Sequence, residues 1–377
     1  MWTRFVILGT ALWVVSCAKN DTIPPLEKAL ASQNPNIQRV MDNLDAYEVQ
    51  IRYTQIDRRN DSVIFTDHDF QVDANSYFYP ASTVKFPAAV AALEKLNEID
   101  SLSMDTRFFV EGDSVQTTFA KAVSEIFAVS DNAANNRLLE FLGQDDLNRR
   151  MERRGVSPIR IAHRLSTDNA DDVTTKPLVF YLNDSTTALS SSIINAAIQP
   201  LELNDIKKGK GYIAGETHQQ GAFDFSLKNY FPIDAQSALL KRIIFPEAFP
   251  EAQQFKLNKK QREFLLEAMH TLPSKVGYDP VDYYDSYVKF FLFGDSTEPM
   301  PEHIKIYNKV GYAYGTLTDN AYIKDTKNNI DFMLTATILV NSDEVFNDDA
   351  YEYDEVGIPF LAQLGRELYQ LELKRKR

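Results

Sequence analysis

A Ser-x-x-Lys tetrad occurs three times in this chain, at Ser16–Lys19, Ser82–Lys85 and Ser286–Lys289. Such a pair can do chemistry when a helix holds it, because residues three apart on a helix are neighbours and an amine can then sit beside the hydroxyl. A helix N-terminus also favours negative charge developing on that oxygen. Only Ser82 meets both conditions. Tyr79-Pro80-Ala81 leads in, Ser82-Thr83-Val84-Lys85 forms a first turn, and Phe86, Val90, Leu93 and Leu96 recur at three- and four-residue spacing. The first tetrad straddles the end of an N-terminal apolar run, and the third lies in a Tyr-rich stretch without a paired motif downstream. An N-cap serine followed by a surface lysine would read the same way in isolation, so the decision rests on other residues.

Two more matches supply it. Ser130-Asp131-Asn132 is the only Ser-Asp-Asn in the chain and lies between the helical runs Ala122–Val129 and Ala133–Leu142. Lys-Val-Gly occurs at Lys275–Gly277 and Lys309–Gly311. The first copy runs into the turn Tyr278-Asp279-Pro280. The second ends a strand-like run and is followed by a further sheet segment, Phe332–Val340, so context selects Lys309. Other chemistries find no footing. The five histidines (68, 163, 218, 270, 303) show no zinc-ligand spacing, and there is neither a G-x-S-x-G elbow nor a phosphate-cradling glycine loop. Asp168-Asn169-Ala170-Asp171-Asp172 lacks the central Gly and closing Glu of a calcium loop and reads as a turn. Asp348, Asp349, Glu352, Asp354 and Glu355 read as a solvated acidic face.

The elements that must position these residues follow from periodicity. Val49–Tyr53 and Val63–Val72 alternate around the charged stretch Asp57–Asp61, a hairpin pattern. Residues 82–142 turn helical, strands return at Ile304–Val310, Ala321–Lys324 and Asp331–Val340, and a helix follows over Phe360–Leu373. That order predicts an α+β fold: one antiparallel sheet assembled from both chain ends, flanked by helices, with an inserted helical domain. The expected division is a leader over 1–16, a tether and N-terminal helix over 17–45, and one domain over 46–377. Within it, 46–81 and about 300–377 form the sheet part, and 82–299 is mainly helical with a long insert. Residues 175–300, rich in Tyr, Phe and Pro, show no readable period, and the basic end Lys374-Arg375-Lys376-Arg377 reads as a solvated helix terminus.

A formal charge of −13 argues against a nucleic-acid partner, and 44% hydrophobic residues exclude a disordered chain. Phe5–Val15 is an apolar run of eleven residues, too short for a helical span and suited to a secretory signal. It ends in Val14-Val15-Ser16-Cys17, which resembles a bacterial lipobox. Cys17, the only cysteine, is the expected lipidation site, so the membrane partner is expected through a lipid anchor. Ala18 follows it, which by resemblance to lipoprotein sorting favours the periplasmic face of the outer membrane.

Taken in order, Ser-x-x-Lys, Ser-Asp-Asn and Lys-Val-Gly resemble the motif set of the serine β-lactamase and penicillin-binding (DD-peptidase) superfamily, most similar to the class A type, over 46–370 apart from the middle segment. The resemblance implies a β-lactamase/transpeptidase-like fold, no cofactor or metal, and a β-lactam or peptidoglycan-like peptide as substrate. It implies Ser82 as the acylated nucleophile, Lys85 as its base and Ser130 as proton relay to the departing nitrogen. Asn132 would hold the substrate amide and Lys309 its carboxylate. Gly311 would let the strand approach, and the N–H groups of Ser82 and Tyr312 would form the oxyanion hole. Two departures stand out. Val310 replaces the hydroxyl that shares the carboxylate, leaving Thr316 or Thr318 as substitutes. Ser166 stands where the deacylating Glu is expected, leaving Asp168 or Asp171 as stand-ins. An acyl hydrolase, a slowly releasing penicillin-binding protein and an inactive binding lipoprotein all remain open readings.

Cys17→Ser is expected to abolish lipidation and release the protein from membranes. A variant that still fractionates with membranes, beside a wild type carrying no lipid, would contradict the lipobox reading.

Overall fold

The computed structural model describes residues 23–60 and 62–375; the expected leader, Cys17 and the last two basic residues lie outside that range. Five antiparallel strands form the main sheet: β1 Gln50–Arg59, β2 Ser62–Phe70, β3 Ile304–Ala313, β4 Thr316–Asp325 and β5 Ile330–Leu339, in the order β3-β4-β5-β1-β2. The N-terminal hairpin thus pairs with the C-terminal meander, with β1 and β5 in register from Gln50↔Thr337 to Gln55↔Phe332. The sheet is built from both chain ends, as the periodicity predicts. The hairpin turn is tighter than expected, however, because β1 continues through Asp57-Arg58-Arg59. Those charges have partners on neighbouring elements. Arg375 Nη1 donates to Asp57 at 2.8 Å and Arg58 pairs with Asp331. Arg375 is accordingly a tie between the last helix and β1 rather than a solvated end.

One sheet face is covered by helix Ile358–Lys374, whose Phe360, Leu361, Leu364 and Leu368 share a core with Ile306, Val310, Leu334 and Ile338. Two short N-terminal helices, Pro25–Leu30 and Pro35–Met41, add Leu26, Ile37 and Val40 to that core. Each starts on a proline at its first position, where the missing N–H is of no consequence. The other face is met by helix Ile233–Ile244, and the helical region beyond it is built around α1 Lys85–Leu96, which is buried along almost its whole length. Ala88, Ala89, Ala91 and Ala92 let neighbours approach it closely, and Val90 and Leu93 pack with Ile126, Phe127, Leu138 and Leu139 of α2 Phe119–Ala128 and α3 Asn132–Leu142. Thr118 caps α2 by accepting from Lys121 N at 3.1 Å, and Asp131 caps α3 by accepting from Ala134 N at 2.6 Å.

The 82–299 region is less helical than expected. Strands Arg107–Val110, Leu178–Tyr181 and Thr187–Leu189 pair antiparallel, held by the ring cluster Phe108, Phe119 and Phe180. A hairpin, Gly211–Ala214 and Thr217–Gln220, pairs parallel with Val345–Phe346. Around it Tyr77, Tyr79, Phe225, Tyr230 and Phe346 form a third, small core. No helix among the described residues is long and apolar enough to cross a membrane.

Leu364 is fully buried between helix and sheet. Leu364→Ala is expected to cost about 2–5 kcal/mol in urea denaturation at unchanged slope; a loss under about 0.5 kcal/mol would contradict this packing.

Candidate active site

Ser82 sits in a 3-10 turn, Ala81–Val84, that runs directly into α1, and Ala81 before it adopts the left-handed region at φ +46°. Strand β3 lies against this turn. A Cβ on Gly311 would meet Ser82 N at 2.7 Å and Pro80 O at 2.8 Å, so only glycine allows the approach. Tyr312, the next residue, is 52% exposed and faces the pocket that also contains Ser82. The Ser82 hydroxyl has no hydrogen-bond partner among the described residues.

Behind Ser82 the polar groups converge. Lys85, at 0% exposure, donates to Asn132 Oδ1 at 2.6 Å, to Ser130 Oγ at 3.3 Å and to the Ser130 carbonyl. Lys309 Nζ donates to the same Ser130 Oγ at 2.7 Å and to Val310 O at 2.8 Å. Ser130, left-handed at φ +59°, therefore holds its hydroxyl between two lysines. Burial disfavours the charged form. It brings Lys85 down to about 7, opposed by the charge of Asp131, and takes Lys309 well below its ordinary range with help from Lys85 nearby. Ser82, Lys85, Ser130, Asn132, Lys309, Gly311 and Tyr312 are thus gathered at one place.

The third tetrad has another position. Lys289 is fully buried behind the site, donating to Asn308 Oδ1 at 2.6 Å and to Met269 O at 2.9 Å. Asn308 in turn donates to Asp319 at 2.8 Å, and burial lifts that carboxylate to about 6. Lys275 of the alternative Lys-Val-Gly lies in a separate short turn, Pro273–Val276.

Two expectations about substitutes need correction. Val310 points into the core under helix Ile358–Lys374, and Thr316 and Thr318 are buried. Neither threonine lines the Ser82 pocket, so neither is placed to share a substrate carboxylate. Ser166 does reach the site, accepting from Asn132 Nδ2 at 3.0 Å with its own backbone at φ +49°. Asp168 and Asp171 are exposed and do not line that pocket. The loop carrying them is pinned by Arg164, 1% exposed, which makes a two-pronged pair with Glu140 at 2.7 and 2.9 Å and donates to the Asp172 and Thr174 carbonyls.

Sequence reasoning missed the outer wall. The pocket, about 600 Å³, is closed by Tyr314, Tyr351 and Tyr353 together with Lys228, Asn347 and Asp349. Asp349 therefore belongs to the pocket and not to a purely solvated face. The available signal was the density of aromatic residues on either side of the unreadable segment.

Comparison with known proteins bears on the fold. Residues 34–192 match the sequence model of the Beta-lactamase enzyme family. A β-lactamase from Sphaerobacter thermophilus DSM 20745 superposes with a TM-score of 0.52 at 13% identity, covering 92% of this chain and 96% of that one. The chain has the serine β-lactamase fold. A second structure with that fold, L2 complexed with relebactam, gives a TM-score of 0.52 at 15% identity over 92% of this chain and 98% of its own. No curated protein matches the sequence.

Glu140→Ala would leave a buried guanidinium unpaired, at a cost of about 3–5 kcal/mol. Limited proteolysis is expected to cut within residues 161–175 of the variant and to spare them in the wild type. Equal resistance would show that the ion pair does not hold the loop.

Proposed function

We propose that the protein is a serine acyl hydrolase of class A-like type, acting on β-lactams or a related amide or ester through an acyl-enzyme on Ser82. One observation carries the reading: a buried lysine, Lys85, lies one helical turn from Ser82 with its basicity brought to about 7 and shares the Ser130 hydroxyl with Lys309. A lysine titrating there is in part neutral at physiological pH and can take a proton. In the proposed acylation, Ser82 Oγ gives its proton to the Lys85 amine and bonds to the substrate carbonyl carbon. The oxyanion is received by the N–H groups of Ser82 and Tyr312, donors often worth about 3 kcal/mol each. The C–N bond then breaks, and Ser130 passes a proton to the departing nitrogen, replenished from Lys85. Lys309 supplies positive potential for the substrate carboxylate without help from Val310.

Release is the weaker half. Ser166 occupies the expected place of the carboxylate that would activate water, and a hydroxyl is a poor base. General-base assistance is typically worth about 10²–10⁴-fold, so the acyl-enzyme should turn over slowly by that order. Slow release also favours the penicillin-binding type as second reading, with Ser166 as the observation behind it. We further propose that a lipid on Cys17 holds this chemistry at a membrane surface.

Mixing with a penicillin is expected to give a burst, then slow turnover, with intact mass showing one adduct on the wild type and none on Ser82→Ala. Ser166→Glu should shorten the adduct's lifetime. An adduct that persists on Ser82→Ala would refute the nucleophile, and fast turnover without accumulation would refute the slow release.

A further inference from the structure

The wall facing Ser82 carries two opposite charges that no neighbour neutralises. Lys228 and Asp349 both line the pocket, and neither takes part in an ion pair among the described residues. Each is held on a fixed backbone. Lys228 N donates to Phe225 O at 2.8 Å, and the Lys228 carbonyl accepts from Arg160, which anchors it to the small aromatic core. Asp349 lies at φ +60° in a loop clamped on the inserted hairpin: Asn347 Nδ2 donates to Ile213 O at 2.8 Å and Asn347 N to Tyr351 Oη at 2.6 Å. Arg160 is occupied by the carbonyls of Gln199 and Ser226, and burial pushes the His163 ring down, toward its neutral form. Lys228 and Asp349 therefore set the charge pattern of this wall, with Asp171 adding negative potential near Tyr79 and Tyr314. Tyr314, Tyr351 and Tyr353 line the same pocket, and aromatic rings attract cations and bury alkyl chain.

We propose that this pocket selects acyl side chains ending in a zwitterion, an ammonium and a carboxylate on one carbon, as at the free end of an amino acid. The ammonium goes to Asp349 and the tyrosine faces, and the carboxylate to Lys228. A side chain with only a cation leaves Lys228 facing like charge, and one with only an anion leaves Asp349 so. A neutral aromatic side chain desolvates both without replacing their water. This rests on the Ser82 acyl-enzyme reading above and goes beyond it by naming the side-chain class.

The test uses four penicillins with one nucleus and different side chains: D-α-aminoadipyl (zwitterionic), glutaryl (anionic), 6-aminohexanoyl (cationic) and phenylacetyl (neutral). The second-order rate of adduct formation, followed by intact mass on the full-length protein, is expected to favour the zwitterion over each of the others by about tenfold, two partly exposed charge contacts being worth that much together. Asp349→Asn should reduce the zwitterion-to-anion ratio to near one, and Lys228→Met the zwitterion-to-cation ratio. Equal rates for all four in the wild type, or ratios unchanged in both variants, would overturn the specificity. An adduct with none of the four would overturn the acyl-enzyme reading itself, and the specificity with it.

Discussion

Two buried lysines donating to one serine hydroxyl is the interaction on which the rest of this structure depends. An ammonium taken out of water is costly unless it is neutralised or surrounded by acceptors, and Lys85 and Lys309 have each other as neighbours. The fold answers with acceptors. Asn132 Oδ1, the Ser130 carbonyl and the Val310 carbonyl receive the amine protons, and Asp319, held by Asn308, supplies Lys309 with a counter-charge that opposes the like charge of Lys289. Those groups come from four places in the chain: the turn into α3, the edge strand β3, its neighbour β4, and the segment that carries Lys289. They meet because the turn that opens α1 lies against β3 and β4 while α1 itself packs on α2 and α3.

The same demand explains where the backbone is strained. Ala81, Ser130, Ser166 and Tyr314 all adopt left-handed φ values, and all belong to the pocket or its floor. Non-glycine residues in that region cost of order 1–3 kcal/mol each, and they persist only where surrounding packing over-determines them. Here the surroundings are the two large cores on either sheet face, the Arg164–Glu140 pair, and the close approach permitted by Gly311. Stability built elsewhere is used to hold Ser82, Ser130 and Tyr312 in one arrangement.

How much of this was legible follows from the physics of each signal. Ser82, Lys85, Ser130, Asn132, Lys309 and Gly311 were readable because helix and strand periods fix where short motifs point, and context separated Lys309 from Lys275. The sheet was readable for the same reason, since β1 and β3–β5 are long and strongly patterned. The outer wall was not. Lys228 and Asp349 sit in irregular segments, where function depends on tertiary placement and not on spacing, and a charged loop residue reads as solvated until its neighbours are known. Thr316 and Thr318 misled because a sequence does not tell which face of β4 is covered; the strand is buried on both.

The central claim is that Lys85 is a base near neutral pH. Its Cε resonance, followed by carbon NMR in protein carrying labelled lysine and assigned with Lys85→Arg, tests this directly. The account predicts a midpoint near 7, with the amine charged below it and neutral above, so that the acylation rate rises through the same interval and levels off at higher pH. A midpoint near the ordinary lysine value of about 10.4, with acylation nonetheless complete at pH 7, would contradict it.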